Sequence, residues 1–354
     1  MAETFQVSYA MSALLSAVGD NKLMPRAESP SLLIPAKTGY VRSNQSWILG
    51  RILRDFEYWM DEDIETRDRE RLAELVMEEA SKAELEKREP VEVRIGLRLS
   101  VYEAITTKIA GKPKRDKVWW SGLAIAVIQL SIAIIPCALY KEWIILYVTG
   151  LGTILAFLSS TLPQWGLEKW ACRRDTWKTI TLTEGNGFKD CIVFLGNGCG
   201  LDFEDLATSR RIAKTSTRLA LSALAIAWLV LLVSVAGFSD HTWFLVGVGG
   251  IGMIENVMIA GLARKPESFG IHIRYKEVIL DRKVMDVLAT AEEKYPHLGS
   301  SLIPTFFPGK LRKREVEWWE YANRRARAYD EAWETDGTVE PHALPEDIPN
   351  DHLI

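Results

Sequence analysis

VWWSGLAIAVIQLSIAIIPCALY, residues 118–140, carries no charged side chain, and WIILYVTGLGTILAFLSSTL follows at residues 143–162 after only Lys141 and Glu142. Each run is about as long as the roughly 20 residues a helix needs to cross a hydrocarbon core of about 30 Å. Lipid offers the backbone no hydrogen-bond partners, so helices are the open-ended way across. Two more runs, Leu219 to Phe238 and Trp243 to Ala263, complete a set of four, with Glu255 the one acidic residue among them. The expected fold class is mainly α: a four-helix transmembrane bundle made of two tight helical hairpins, with cytosolic helices and a small β element.

Composition hides this, because about 85 apolar residues are averaged with a larger polar remainder. A quarter of the chain is charged and the net charge is −4. No stripe of Lys and Arg is interleaved with stacking aromatics, so a nucleic-acid partner is excluded. The four cysteines, Cys137, Cys172, Cys191 and Cys199, show neither CxxC spacing nor a nearby histidine pair. No zinc site is expected from them; Cys137 lies inside a span, and the other three, as cytosolic thiols, should be free. Met1 to Asp20 lacks the basic start and continuous apolar core of a cleaved signal peptide, so the first span is expected to act as the insertion signal.

Orientation follows from where Lys and Arg border the spans. Lys112, Lys114, Arg115 and Lys117 precede the first; Lys169, Arg173, Arg174 and Lys178 follow the second; Arg210, Arg211, Lys214 and Arg218 precede the third; Arg264 and Lys265 follow the fourth. The opposite turns, Lys141-Glu142 and Ser239-Asp240-His241-Thr242, hold one basic residue between them if His241 is neutral. Both termini and the central loop are therefore expected in the cytosol, with the endoplasmic reticulum as the default membrane. Trp119, Trp120, Trp143, Trp165 and Trp243 sit at span ends, as interfacial anchors do. The sequon Asn44-Gln45-Ser46 should stay unmodified on this topology.

Seven segments result: 1–53, loop-rich; 54–117, a charged helix and a strand; 118–163, the first hairpin; 164–216, a loop with a β-hairpin and a capped helix; 217–263, the second hairpin; 264–335, a strand and helices; and 336–354, an acidic, Pro-rich tail expected to be disordered. Asp61 to Glu89 reads as a long charged helix, free of Gly and Pro until Pro90. Val91 to Leu99 alternates like a half-buried strand, as do Ile271, Ile273 and Tyr275, and the two are candidates to pair. Trp177 to Thr183 and Cys191 to Leu195 read as a hairpin around Glu184-Gly185-Asn186-Gly187, since Asn and Gly both tolerate positive φ. Gly196 to Gly200 then leads into a helix capped by Asp202, with Asp205 placed as in a capping box. Neither GxxxxGK[ST] nor GxGxxG occurs, and Asp202, Glu204 and Asp205 lack the DDxxD spacing of diphosphate-binding terpene synthases. No cofactor is implied. Lys310 to Thr335 should be an amphipathic helix whose stripe of Trp319, Ala322, Ala326, Tyr329 and Trp333 packs on the cytosolic part.

Glu255 lies near mid-depth of the fourth span, where an ionised carboxylate costs roughly 2.5 to 3.5 kcal/mol. It should face protein. Gln129, Thr153 and Trp228 lie at comparable depth, and Asn256 adjoins Glu255. One reading is a cluster of Gln129, Glu255 and Asn256 acting as interhelical glue, helped by small residues at Gly152, Ala156 and Ser160 and at Gly247, Gly249, Gly250 and Gly252. The other makes protonated Glu255 a general acid in an apolar cavity, with the Trp228 ring facing a carbocation. Glu255, Trp228 and Gln129 are the candidate catalytic residues.

The runs Gly39 to Trp47, Leu162 to Trp165, Glu168 to Arg174, Leu182 to Gly187 and Gly200 to Leu206 resemble a large group of filamentous-fungal multispan membrane proteins. The resemblance spans about residues 39 to 265. The chain also looks like the membrane proteins accompanying paxilline-type indole-diterpene pathways, some relatives of which are thought to cyclise terpenoids. The resemblance implies a fungal source, a place in or beside secondary metabolism, and a prenylated or terpenoid substrate; no catalytic motif comes with it. A membrane-embedded cyclase is the first expectation. A non-catalytic scaffold that recruits pathway enzymes or self-associates is the second, and a transporter the third, because inverted repeats and broken helices are missing.

Overall fold

The computed structural model describes residues 23–87, 89–208, 214–238 and 240–336. The readings made of Met1 to Asp20, Arg210, Arg211, Ser239 and residues 337–354 lie outside the described residues. Six strands are present: β1 (Leu32–Pro35), β2 (Arg42–Ser43), β3 (Leu97–Ala104), β4 (Thr179–Thr183), β5 (Asp190–Leu195) and β6 (Ile273–Asp281). The helices, in chain order, are α1 (Trp47–Arg54), α2 (Phe56–Trp59), α3 (Glu62–Glu86), α4 (Lys117–Tyr140), α5 (Ile144–Ser160), α6 (Pro163–Lys169), α7 (Phe203–Thr208), α8 (Thr215–Ala236), α9 (Trp243–Gly261), α10 (Val284–Lys294), α11 (Leu298–Phe306) and α12 (Lys313–Asp336).

The chain forms two compact units. One, Ala27–Lys112, Cys172–Ser209 and Lys265–Ile354, holds the strands; the other, Met1–Arg26, Pro113–Ala171 and Arg210–Arg264, holds the apolar helices.

In the first unit the β content exceeds the small element expected. All six strands join one mixed sheet in the order β2-β1-β4-β5-β3-β6, antiparallel except for β3 beside β5. Leu97, Leu99 and Val101 point to one face and pack with Cys191, Val193, Leu195 and Ile279 beneath Val287 and Leu288 of α10, Leu298 and Leu302 of α11, and Trp319 and Ala322 of α12. Each fully buried Leu, Ile or Val contributes about 1.5–3 kcal/mol relative to exposure. On the other face Tyr102 is buried against Trp59 and Phe56, ring centroids 5.2 and 6.5 Å away. Cover on both sides explains why Cys191 to Leu195 reads as an unbroken apolar run instead of an alternation.

Two strand readings are corrected. The alternation from Val91 predicts a strand that ends at Leu99, but β3 begins at Leu97 and runs to Ala104. Its neighbour β6 ends at Asp281, whose carbonyl accepts from Gly96, so residues 91–95 have no ladder to join. Strands β3 and β6 do pair, through eight antiparallel positions, but in another register than expected: Ile273 and Tyr275 lie opposite Ala104 and Tyr102, while Leu97 and Leu99 lie opposite Asp281 and Ile279. Between β4 and β5, positive φ falls on Gly185 (104°) and Gly187 (96°) and not on Asn186, so the loop is longer than a two-residue Asn-Gly turn.

Helix α3 starts where Asp61 accepts from the amide of Asp63 and ends on Lys87 in the left-handed region. Part of its acidic excess is turned inward: Asp68 meets Arg98 and Lys189, and Glu79 meets Arg282. Helix α12 buries Trp319, Ala322 and Ala326, as its 3,4 spacing predicts.

In the second unit α4, α8 and α9 are long and apolar enough to cross a membrane, and α5 with α6 makes a fourth span if the pair, bent by 41°, is counted as one. Helix α5 has 17 residues and so covers about 26 Å. Pro163 causes the break: the residue before a proline avoids helical ψ, and Leu162 has ψ 125°. Trp165 then donates its indole N–H to the Ser159 carbonyl across the bend.

The second hairpin is not tight. Helix α9 packs chiefly on α4, and α8 on α5, so the two flank the first hairpin. At one end of this unit Arg264 pairs with Asp116 at 2.7 Å; at the turns His241 lies 2.9 Å from Glu142 and stacks on Tyr140.

Candidate functional site

Separation of α8 from α9 leaves a cavity of about 280 Å³ among the apolar helices. Gln129 from α4, Thr149 and Thr153 from α5, Trp228 from α8, and Glu255 and Asn256 from α9 all line it. The three candidate catalytic residues and both of their expected neighbours thus come to one place.

Their bonding differs from the expected cluster. Gln129 Nε2 donates to the Val248 carbonyl of α9 at 2.9 Å and not to Glu255. Gly252 makes room for that bond, because a Cβ there would stand 2.7 Å from Nε2. The physical reason is register: antiparallel α4 and α9 set Gln129 opposite Val248 and Gly252, while Glu255 lies two turns nearer the start of α4. There a Cβ on Gly122 would be 3.4 Å from Glu255 Oε1.

Two polar atoms in the lining are buried without a hydrogen-bond partner among the described residues, Glu255 Oε1 and Thr149 Oγ1. Buried polar atoms are almost always paired, and each one left bare costs about 1–3 kcal/mol. Thr149 is the residue the sequence reading missed. Thr153 was noted, and it spends its hydroxyl on the Thr149 carbonyl one turn back; the repeat of Thr at that interval was the available signal. Trp228 is nearly buried and packs among Ala133, Ile145, Val148, Leu231, Val235 and Leu245. The expectation of close packing along the glycines of α9 fails at Gly247 and Gly250, which meet nothing within 4 Å.

The acidic cluster at α7 belongs to the sheet-bearing unit. Asp202 caps the helix by accepting from the amides of Glu204 and Asp205 at 3.0 and 3.2 Å. Asp205 does not reach back as a capping box would; it accepts from the Arg173 amide and guanidinium. Lys178 bridges Asp202 and Glu204 at 2.9 and 2.6 Å, and Arg42 holds Glu204 from the other side. Burial would push Glu204 up, but the bonds from Lys178 and Arg42 outweigh it and hold the carboxyl below its ordinary value. The Arg173 bond does the same for Asp205. The preceding glycine loop spends the amides of Gly196 and Gly198 on the carbonyls of Lys178 and Thr176. Cys191 is fully buried, which drives its thiol to about 12, and burial takes Cys172 to about 11.

Compared with protein-family models, with curated proteins and with solved structures, the chain matches none.

Proposed function

We propose that this chain is a multi-pass membrane protein of fungal terpenoid secondary metabolism, in which the cavity between the apolar helices takes a prenylated substrate and Glu255 protonates it. The observation that carries the reading is the pair of buried, partnerless polar atoms, Glu255 Oε1 and Thr149 Oγ1, on two residues that line one cavity together with Trp228. At about 280 Å³ the space is at the lower end of small-molecule sites and suits the reacting end of an isoprenoid. The carboxylic acid adds its proton to an alkene carbon, and the resulting cation lies near the Trp228 face. Ring closure then consumes a second alkene, and loss of a proton back to the Glu255 carboxylate restores the acid. The net change is an isomerisation that needs no co-reactant. Thr149 orients a polar group of the substrate, and Gln129 is structural.

Both termini and the connection between the hairpins belong to the cytosolic side of the endoplasmic reticulum in this reading. The ends of the first and fourth spans joined by Asp116 and Arg264, with Arg115 stacked 4.7 Å over Trp119, support a basic, interfacial cytosolic end. A second reading, a scaffold without catalysis, is favoured by one bond: Gln129 to Val248, which spends a mid-span polar group on holding α4 to α9.

Glu255→Gln separates the two. Expressed in a host supplied with prenylated precursors and followed by mass spectrometry, the variant should make no cyclised product while inserting at the normal level. Unchanged product from the variant refutes the acid role and leaves the scaffold.

A further inference from the structure

A second cavity, in the sheet-bearing unit, has no part in the chemistry above. It measures about 310 Å³ and opens between the end of β1, the start of β4, the turn before α11 and the last turns of α12. Its wall is aromatic. Trp177 and Trp333 meet at a centroid distance of 5.6 Å with planes tilted by 56°, and Tyr329 stands one helical turn before Trp333 on the same side of α12. Trp177 is 52% exposed, and its indole lies against Gly198, where a Cβ would stand 2.5 Å from the ring.

Two features narrow the ligand. Each Lys and each carboxylate in the lining has an opposite partner: Lys178 bonds Glu204, and Lys37 lies 3.6 Å from Asp330, whose carboxylate also meets the His297 ring at 3.1 Å. The groove is therefore close to neutral and offers nothing to a strongly charged ligand. Meanwhile, among the described residues, the indole N–H of neither Trp177 nor Trp333 donates a hydrogen bond, although both rings line the groove. Indole is a donor only, so the site asks for an apolar, ring-stacking ligand rich in acceptors and poor in donors. A polyproline II peptide has that chemistry. Proline has no backbone N–H, its carbonyls point outward unbonded, its rings stack on aromatic faces, and its preformed helix loses little entropy on docking.

We propose that the groove of Trp177, Tyr329 and Trp333 is a docking site for a proline-rich segment of a partner protein in the polyproline II conformation, with the two indoles donating to its carbonyls. The test uses the full chain in detergent micelles and fluorescein-labelled decaproline, read by fluorescence anisotropy. Saturable binding is expected. Trp177→Ala and Trp333→Ala should each weaken it about tenfold or more, as truncating a central interface tryptophan does. Trp177→Phe keeps a ring, removes the donor, and should cost about three- to tenfold. Circular dichroism on the same samples establishes that the variants are folded. Absence of saturable binding overturns the proposal, and so does binding left unchanged by both alanine variants. Decaproline displaced by tetramethylammonium chloride, but not by sodium chloride of equal strength, also overturns it, because the aromatic wall is then a cation cage.

Discussion

Replacing Gly252 by alanine tests the packing of α9 on α4 through a single methyl group. The new Cβ would stand 2.7 Å from Gln129 Nε2, inside any van der Waals contact, and the atom in the way is the far end of a flexible side chain. Gln129 therefore swings aside and loses its 2.9 Å bond to the Val248 carbonyl. An interhelical bond of this kind in a membrane protein is worth about 0.6 kcal/mol on average and at most about 1.7. Alanine in place of glycine returns up to about 1 kcal/mol of helix propensity. The two terms nearly cancel, so Gly252→Ala alone should change stability by less than about 1 kcal/mol. In a Gln129→Ala background the bond is already gone and the space is open, and there the same substitution should stabilise by about 1 kcal/mol. A double-mutant cycle of four proteins, unfolded reversibly in mixed micelles, should report a coupling of about 0.6 to 1.7 kcal/mol. A coupling near zero would show that Gln129 does not hold the two helices together and that Gly252 was free to carry a side chain.

Arg98→Ala should destabilise the sheet-bearing unit: the guanidinium is 4% exposed and binds Asp190 and Asp68 at 2.6 and 3.3 Å. Removing one partner of a buried pair costs about 3–5 kcal/mol, and water reaching the two carboxylates lowers this to about 2–3, measurable by chemical denaturation. Glu204 and Asp205 give a pH dependence of fixed sign. Their folded pKa values lie below the ordinary carboxylate ones, so their stabilisation is complete above about pH 5 and is lost as pH falls through the folded values. Asp205→Asn should flatten the fall of Tm between pH 5 and pH 3, and an unchanged slope would refute the Arg173 pairing as its source. For orientation, cysteines introduced at exposed Lys141 and Asn186 are better reporters than the Asn44 sequon, since Asn44 is 5% exposed and bonds Ser31. In sealed microsomes a membrane-impermeant maleimide should label Asn186→Cys and spare Lys141→Cys; the opposite pattern inverts the proposed topology.

What could be read along the chain was what depends on near neighbours. Uncharged runs long enough for a bilayer announce themselves without any partner, because the cost of a charge in lipid is paid by each residue alone. The Asp202 cap, the charged helix from Glu62 and the buried stripe of α12 are likewise settled within one or two helical turns. The limits of β3 were not legible, because a strand extends as far as its neighbours supply backbone partners, and β6 stops at Asp281. Nor was the parallel β3–β5 pair, whose strands are separated in sequence by the whole first hairpin and β4.

The same division runs through the candidate site. Sequence alone placed Gln129, Trp228 and Glu255 in the middle stretches of three apolar runs, since position along a run is a count of residues at 1.5 Å each, but the packing of α9 on α4 sets Glu255 opposite Gly122, two turns from Gln129. Tertiary structure decided that they share a cavity, because α8 and α9 pack on the first hairpin and not on each other, and that Gln129 bonds a backbone carbonyl instead of Glu255. Those outcomes depend on how side-chain volumes interlock between helices, and a glycine as small as Gly252 changes which atoms can meet.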